Sequence, residues 1–209
     1  SIARESDYVL YTNAGPEIAV ASTKAYTTQL AVFYLVAAKM AYSRGIFGGE
    51  ETRAFIGELE RASKVIEQVL AKRREIHLLA KRVLGAKDLF MIGRGLDYSI
   101  LLEGSLKLKE VSYIHSEAYA SGELKHGPIA LITEDTPVIA AVTQERLAAK
   151  ELSNIREVKS RGAEVVLFIK EGLKETAQDV GETFVLPDMN DGDAGVSGIA
   201  ALCILCVGG

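Results

Sequence analysis

Glu103, Lys107 and Glu110 fall at i, i+4 and i+7, which places two carboxylates and an ammonium along one stripe of a helix. Two readings of that stripe stay open. It is a solvated row of ion pairs, each worth about 0.2–0.5 kcal/mol. Alternatively, because Leu102, Leu106, Leu108 and Val111 make the same segment apolar, it is a buried carboxylate with a cation one turn away, which can be tuned as a base. Downstream, Gly122-Glu123-Leu124-Lys125-His126-Gly127-Pro128 reads as a helix-terminating loop that presents a histidine between glycines. A lone histidine is more often structural. A base, a cation and a titratable imidazole in one stretch of chain nevertheless suit proton transfer on a carbonyl compound. His115, beside Tyr113 and Ile114, reads as a structural or interface residue.

Two further motifs carry less. Gly93-Arg94-Gly95 follows an apolar run and precedes a helical pattern, where backbone N–H groups can hold a phosphate. It is no dinucleotide fingerprint, since position 98 is Tyr and no third glycine follows. Cys203 and Cys206 have CxxC spacing inside an apolar run, with no second ligand pair. They read as buried apolar cysteines of a protein from a reducing compartment.

The elements that position these residues follow from short apolar runs alternating with helical patterns. Tyr8-Val9-Leu10-Tyr11-Thr12 reads as a buried strand, and a helix runs from a cap at Ser22 or Thr23 to a stop at Gly45. That helix is apolar nearly all round between Leu30 and Met40, so burial on most sides is expected. Residues 50–84 read as two amphipathic helices broken near Lys72-Arg73-Arg74, a domain junction. Beyond Gly85 come strand runs at 89–92, 138–142, 165–169 and 183–186, with helices over about 99–114 and 145–160 between them. This alternation predicts an α/β fold with a parallel sheet flanked by helices. Ligands then bind at the carboxyl ends of its strands.

Composition narrows the class. A net charge of −4 without a basic tract argues against a nucleic-acid partner. The longest apolar stretch, Leu30 to Ala38, is ended by Lys39, well short of the roughly 20 residues that span a membrane. The chain begins without Met in charged sequence, and no Lys or Arg follows Lys174. Both ends read as cuts inside domains.

Several longer motifs carry a resemblance. They are Leu102-Glu103-Gly104-Ser105-Leu106-Lys107-Leu108-Lys109-Glu110, Ser112-Tyr113-Ile114-His115, Glu117-Ala118-Tyr119, and Gly122 to Pro128. Upstream stand Thr12-Asn13-Ala14-Gly15, Glu17-Ile18 and Val20-Ala21-Ser22-Thr23-Lys24. Over about residues 1–190 the chain resembles the isomerase half of the glucosamine-6-phosphate synthases, isomerising aminotransferases with tandem sugar-isomerase (SIS) domains. The resemblance implies that residues 1–72 are the back part of a first SIS domain and 73–209 a second, shortened at its C-terminus. It implies conversion of fructose 6-phosphate to glucosamine 6-phosphate in the intact, cytoplasmic protein. Glu110 would move a proton between C1 and C2, Lys107 would assist, and His126 would open the sugar ring in the neighbouring subunit's site. Val20 and Ser22 would contact the sugar. No metal or redox cofactor is implied; a homodimer and a separate glutaminase domain are. The family's phosphate loops and terminal lysine have no counterpart here, so the chain alone is expected to be inactive. The rival readings are a non-catalytic SIS module that binds a sugar phosphate, and a dimerisation module.

Overall fold

The structure, a computed structural model, describes residues 2–18, 22 and 24–188. Val20, Cys203, Cys206 and the expected shortened end lie outside the described residues. The chain divides into two compact units at Glu60/Arg61.

The first unit holds a short helical turn, α1 (Ile2–Glu5), then α2 (Lys24–Ser43) and the leading part of α3 (Gly49–Ala71). The helix ends at Gly45 as the sequence predicts. That glycine takes the left-handed φ of 68°, and the N–H of Ile46 returns to the Ala41 carbonyl. Two expectations fail here. Residues 8–12 form no strand: Tyr8 and Tyr11 are exposed and the segment pairs with no described strand. Nor is α2 buried on most sides, since Ala38 is its one buried residue and Phe33 is 68% exposed. An apolar run reports hydrophobicity, and burial also needs a partner within the same compact unit.

In the second unit, α3 gives way at Lys72 to α4 (Arg73–Val83), so the break falls where the sequence placed it. Five parallel strands follow: β1 (Asp88–Gly93), β2 (His115–Ala120), β3 (Pro137–Val142), β4 (Glu164–Lys170) and β5 (Glu182–Leu186), in the order β2-β1-β3-β4-β5. Helix α5 (Leu96–Ser112) links β1 to β2, and α6 (Glu145–Ser160) links β3 to β4. Because the side-chain period of a strand is two, alternate residues serve opposite faces. Phe90, Ile92, Val138, Ala140, Leu167 and Ile169 form one core with Leu152, Ile155 and Val158 of α6. Ile139, Val166 and Phe168 line the other face with α4 and α5. Each fully buried aliphatic side chain contributes about 1.5–3 kcal/mol.

Strand β2 was not expected, because His115-Ser116-Glu117-Ala118-Tyr119-Ala120 has no apolar run. It pairs with β1 from Asp88↔His115 to Gly93↔Ala120. The chain passes from β1 to β2 on one side and then crosses back past β1 to β3 on the other, so the strand order reverses between β1 and β3. Such a switch point opens a crevice at the carboxyl ends of the strands.

Candidate active site

Helix α5 presents the predicted stripe as a compact cluster. Lys107 is only 4% exposed, with its Nζ 2.7 Å from Glu110 Oε2 and 3.6 Å from Glu103 Oε1. The solvated-row reading therefore fails for the cation, which sits between two carboxylates that keep partial access to solvent. Burial works to lower the pKa of Lys107. The hydrogen bond and charge of Glu110, with the charge of Glu103, outweigh it and hold the ammonium above the ordinary lysine range. Lys107 is thus a fixed cation near neutrality. It can stabilise developing negative charge or donate a hydrogen bond, while proton acceptance falls to its carboxylate partners. Glu103 was on the predicted stripe without a site role, and the geometry makes it the third member.

The apolar groove between α4 and α5, about 560 Å³, takes Leu108 and Val111 from α5 but neither Lys107 nor Glu110. The polar face of the helix is thereby kept separate from its packing face.

His126 ends a 3-10 turn, Glu123–His126, and is exposed. Among the described residues no hydrogen bond or ion pair joins it to Lys107 or Glu110. The turn is anchored by Leu124, 1% exposed within the core beside α6, and by the Lys125–Glu157 ion pair. Gly127 follows with φ 152°, a conformation that side chains resist, and so redirects the chain next to the imidazole. Ser22 is half-buried in the first unit. His115 opens β2, with its Nδ1 2.9 Å from Asp88 Oδ1 and its ring largely exposed.

At the switch point the segment after β3 is tied to the start of α5. Asp97, buried in the first turn of α5, accepts the Thr143 N–H at 2.9 Å on Oδ2 and the Thr143 hydroxyl on Oδ1 at 2.5 Å. The carboxylate of Asp97 thus occupies the backbone donor at the end of β3. Burial raises its pKa against the hydrogen bonds from Thr143 and Gln144. Gln144 Nε2 donates to the Arg94 carbonyl at 2.8 Å, and the Arg94 guanidinium turns inward, with Nε 3.6 Å from Glu151 Oε2. Gly93 is required by close approach, since a Cβ there would stand 2.8 Å from the Tyr98 nitrogen.

Glu151, Ser121 and Asn154 went unnoticed in the sequence. Glu151 does fall among the inward positions of α6, beside Ala148, Leu152, Ile155 and Val158, so its periodicity was the available signal. Among the described residues there is no grouping of three or more His, Cys, Asp or Glu suited to a metal ion, and no helix long and apolar enough to cross a membrane.

Comparison with known proteins gives a consistent result. The SIS domain family matches residues 1–39 and 83–206. A glutamine–fructose-6-phosphate aminotransferase (isomerizing) of Caldanaerobacter subterraneus subsp. tengcongensis is 50% identical over 188 residues, covering 90% of this chain and 31% of the relative. Its counterpart from Clostridium tetani is 51% identical over 187 residues, with the same two coverages. The chain therefore spans about a third of the length of these curated relatives. The C-terminal domain of glucosamine-fructose-6-phosphate aminotransferase from Francisella tularensis superposes with a TM-score of 0.93 at 38% identity, over 98% of this chain and 58% of that one.

Proposed function

The chain belongs to the SIS domain family, and on that premise we propose that it forms part of the isomerising half of a glutamine–fructose-6-phosphate aminotransferase. That enzyme makes glucosamine 6-phosphate from fructose 6-phosphate with ammonia from glutamine. The observation that carries the proposal is the buried Lys107 held 2.7 Å from Glu110, on the helix that follows the first strand of a parallel sheet.

Glu110 is the base that carries a proton between C1 and C2 of the open-chain sugar. A carboxylate fits that step because it can accept and return the same proton. Lys107, kept cationic by its two acidic neighbours, offsets the negative charge that builds on the sugar as the proton leaves. His126, exposed at the end of its turn, reaches outward to open the ring in the partner subunit of a homodimer. Val20 and Ser22 contact the sugar. Residues 1–72 belong to a first SIS domain and 73–209 to a second, in a cytoplasmic protein that also carries a glutaminase domain. The chemistry needs neither metal nor redox cofactor. A module that only bound sugar phosphate would have no use for a buried lysine clamped between two carboxylates.

The test is amino-sugar formation by the complete enzyme bearing Glu110→Gln or His126→Asn. Glu110→Gln should keep sugar binding and lose about 10²–10⁴ in rate. A near-native rate would remove Glu110 from the mechanism.

A further inference from the structure

We infer that α6 sets the position of His126 through Ser121: Glu151 and Asn154 hold that residue, and the turn bearing His126 springs from it. The inference rests on the functional reading only for the catalytic meaning of His126; the linkage itself is a matter of geometry.

Ser121 is fully buried directly after β2. Its N–H donates to the Gly93 carbonyl at 3.0 Å, which extends the β1–β2 pairing by one residue. Its hydroxyl donates to Glu151 Oε2 and accepts from Asn154 Nδ2 at 2.9 Å. Every polar atom of this side chain is thus committed to one helix. Five residues later the chain reaches His126, with Leu124 in the core and Lys125 paired to Glu157 on that same helix. Glu151, Asn154 and Glu157 stand three residues apart, so a single face of α6 grips the turn at its root and beside its tip.

A plain packing role would not require this chemistry. Glu151 is a carboxylate only 2% exposed, and its Oε1 has no hydrogen-bond partner. Burial raises its pKa to about 7, opposed by the Ser121 hydroxyl; Asp97 adds to the rise, and Arg94 opposes it from 3.6 Å. Arg94 and Asp97 face it from the segment after β1, Ser121 from the segment after β2, and Asn154 from its own helix. Placing a carboxylate here is costly. What it gains is a directional bond to the residue that launches the turn.

Amide hydrogen exchange read by mass spectrometry on this chain tests the linkage without substrate. Ser121→Ala and Glu151→Ala should each speed exchange over residues 121–126 by at least about tenfold. The protected amides of β3 and β4 should change far less. Glu151→Gln, which keeps an acceptor for the Ser121 hydroxyl, should restore most of the protection. Unchanged exchange in the turn, an equal loss in turn and strands, or a Gln variant no better than Ala would overturn the inference. His126→Asn should leave the exchange as it is. If that substitution also leaves turnover by the complete enzyme untouched, the functional reading fails while the positioning stands.

Discussion

The buried Glu151 should make this protein less stable as pH rises toward neutrality, and Glu151→Gln should remove its share of that dependence. The carboxyl titrates at about 7 in the fold, against 4.5 for an ordinary glutamate. Between those values the folded chain binds a proton that the unfolded chain has lost, so stability falls with rising pH across the window. About 2.5 pH units at about 1.4 kcal/mol each give about 3–4 kcal/mol, fully present below pH 4.5 and gone above about 7. Glutamine reproduces the neutral carboxyl and carries no charge at any pH. Urea unfolding followed by circular dichroism at pH 5, 6, 7 and 8 supplies the comparison. With a urea dependence of about 1–3 kcal/mol per molar, the midpoint difference between wild type and variant should move by about 1–3 M across the series, in favour of the variant at high pH. Groups remote from Glu151 affect both proteins alike and cancel in the difference. A midpoint difference that stays constant from pH 5 to 8 would refute the reasoning, and would mean that Arg94 compensates the burial of Glu151 in full.

Other expectations bear on the site and its frame. Lys107→Met leaves Glu103 and Glu110 with no cation between them, so amino-sugar formation by the complete enzyme should fall at least about tenfold; an unchanged rate would count against the cluster. Ile155, fully buried beneath the sheet, should cost about 2–5 kcal/mol on truncation to Ala, measured by denaturation. Gly93→Ala should cost about 1–3 kcal/mol, because its new Cβ meets the backbone of Asp97 and Tyr98 rather than a yielding side chain. A neutral result there would show that the start of α5 shifts freely.

The parallel sheet was legible because β1, β3 and β4 are buried on both faces and, with β5, read as apolar runs. The stripe on α5 was legible because helical spacing survives without knowledge of the fold. What lay beyond the sequence depended on partners distant along the chain. Residues 8–12 have the composition of a strand but, among the described residues, no neighbour to pair with. Nothing near Thr143 in the chain announces that Asp97, 46 residues earlier, accepts its N–H. Glu151 is an ordinary helix glutamate until Ser121, 30 residues before it, arrives as its partner. His126 could be named as the residue presented by a glycine-flanked turn, whereas the helix that grips the turn could not.

The polarity that hid β2 has a use of its own. This strand lies at the edge of the sheet, paired on one side with β1 and, among the described residues, with nothing on the other. An open edge of backbone donors and acceptors is a template on which a second chain can polymerise. His115 and Glu117 set titratable and charged groups along that border. An incoming strand would have to strip water from Glu117 and, in a second copy of the same sequence, lay like charge against like. The chain therefore guards this border with residues that a search for apolar runs passes over. A variant that greased the edge, such as Glu117→Val, would trade a local gain in strand propensity for a tendency to aggregate.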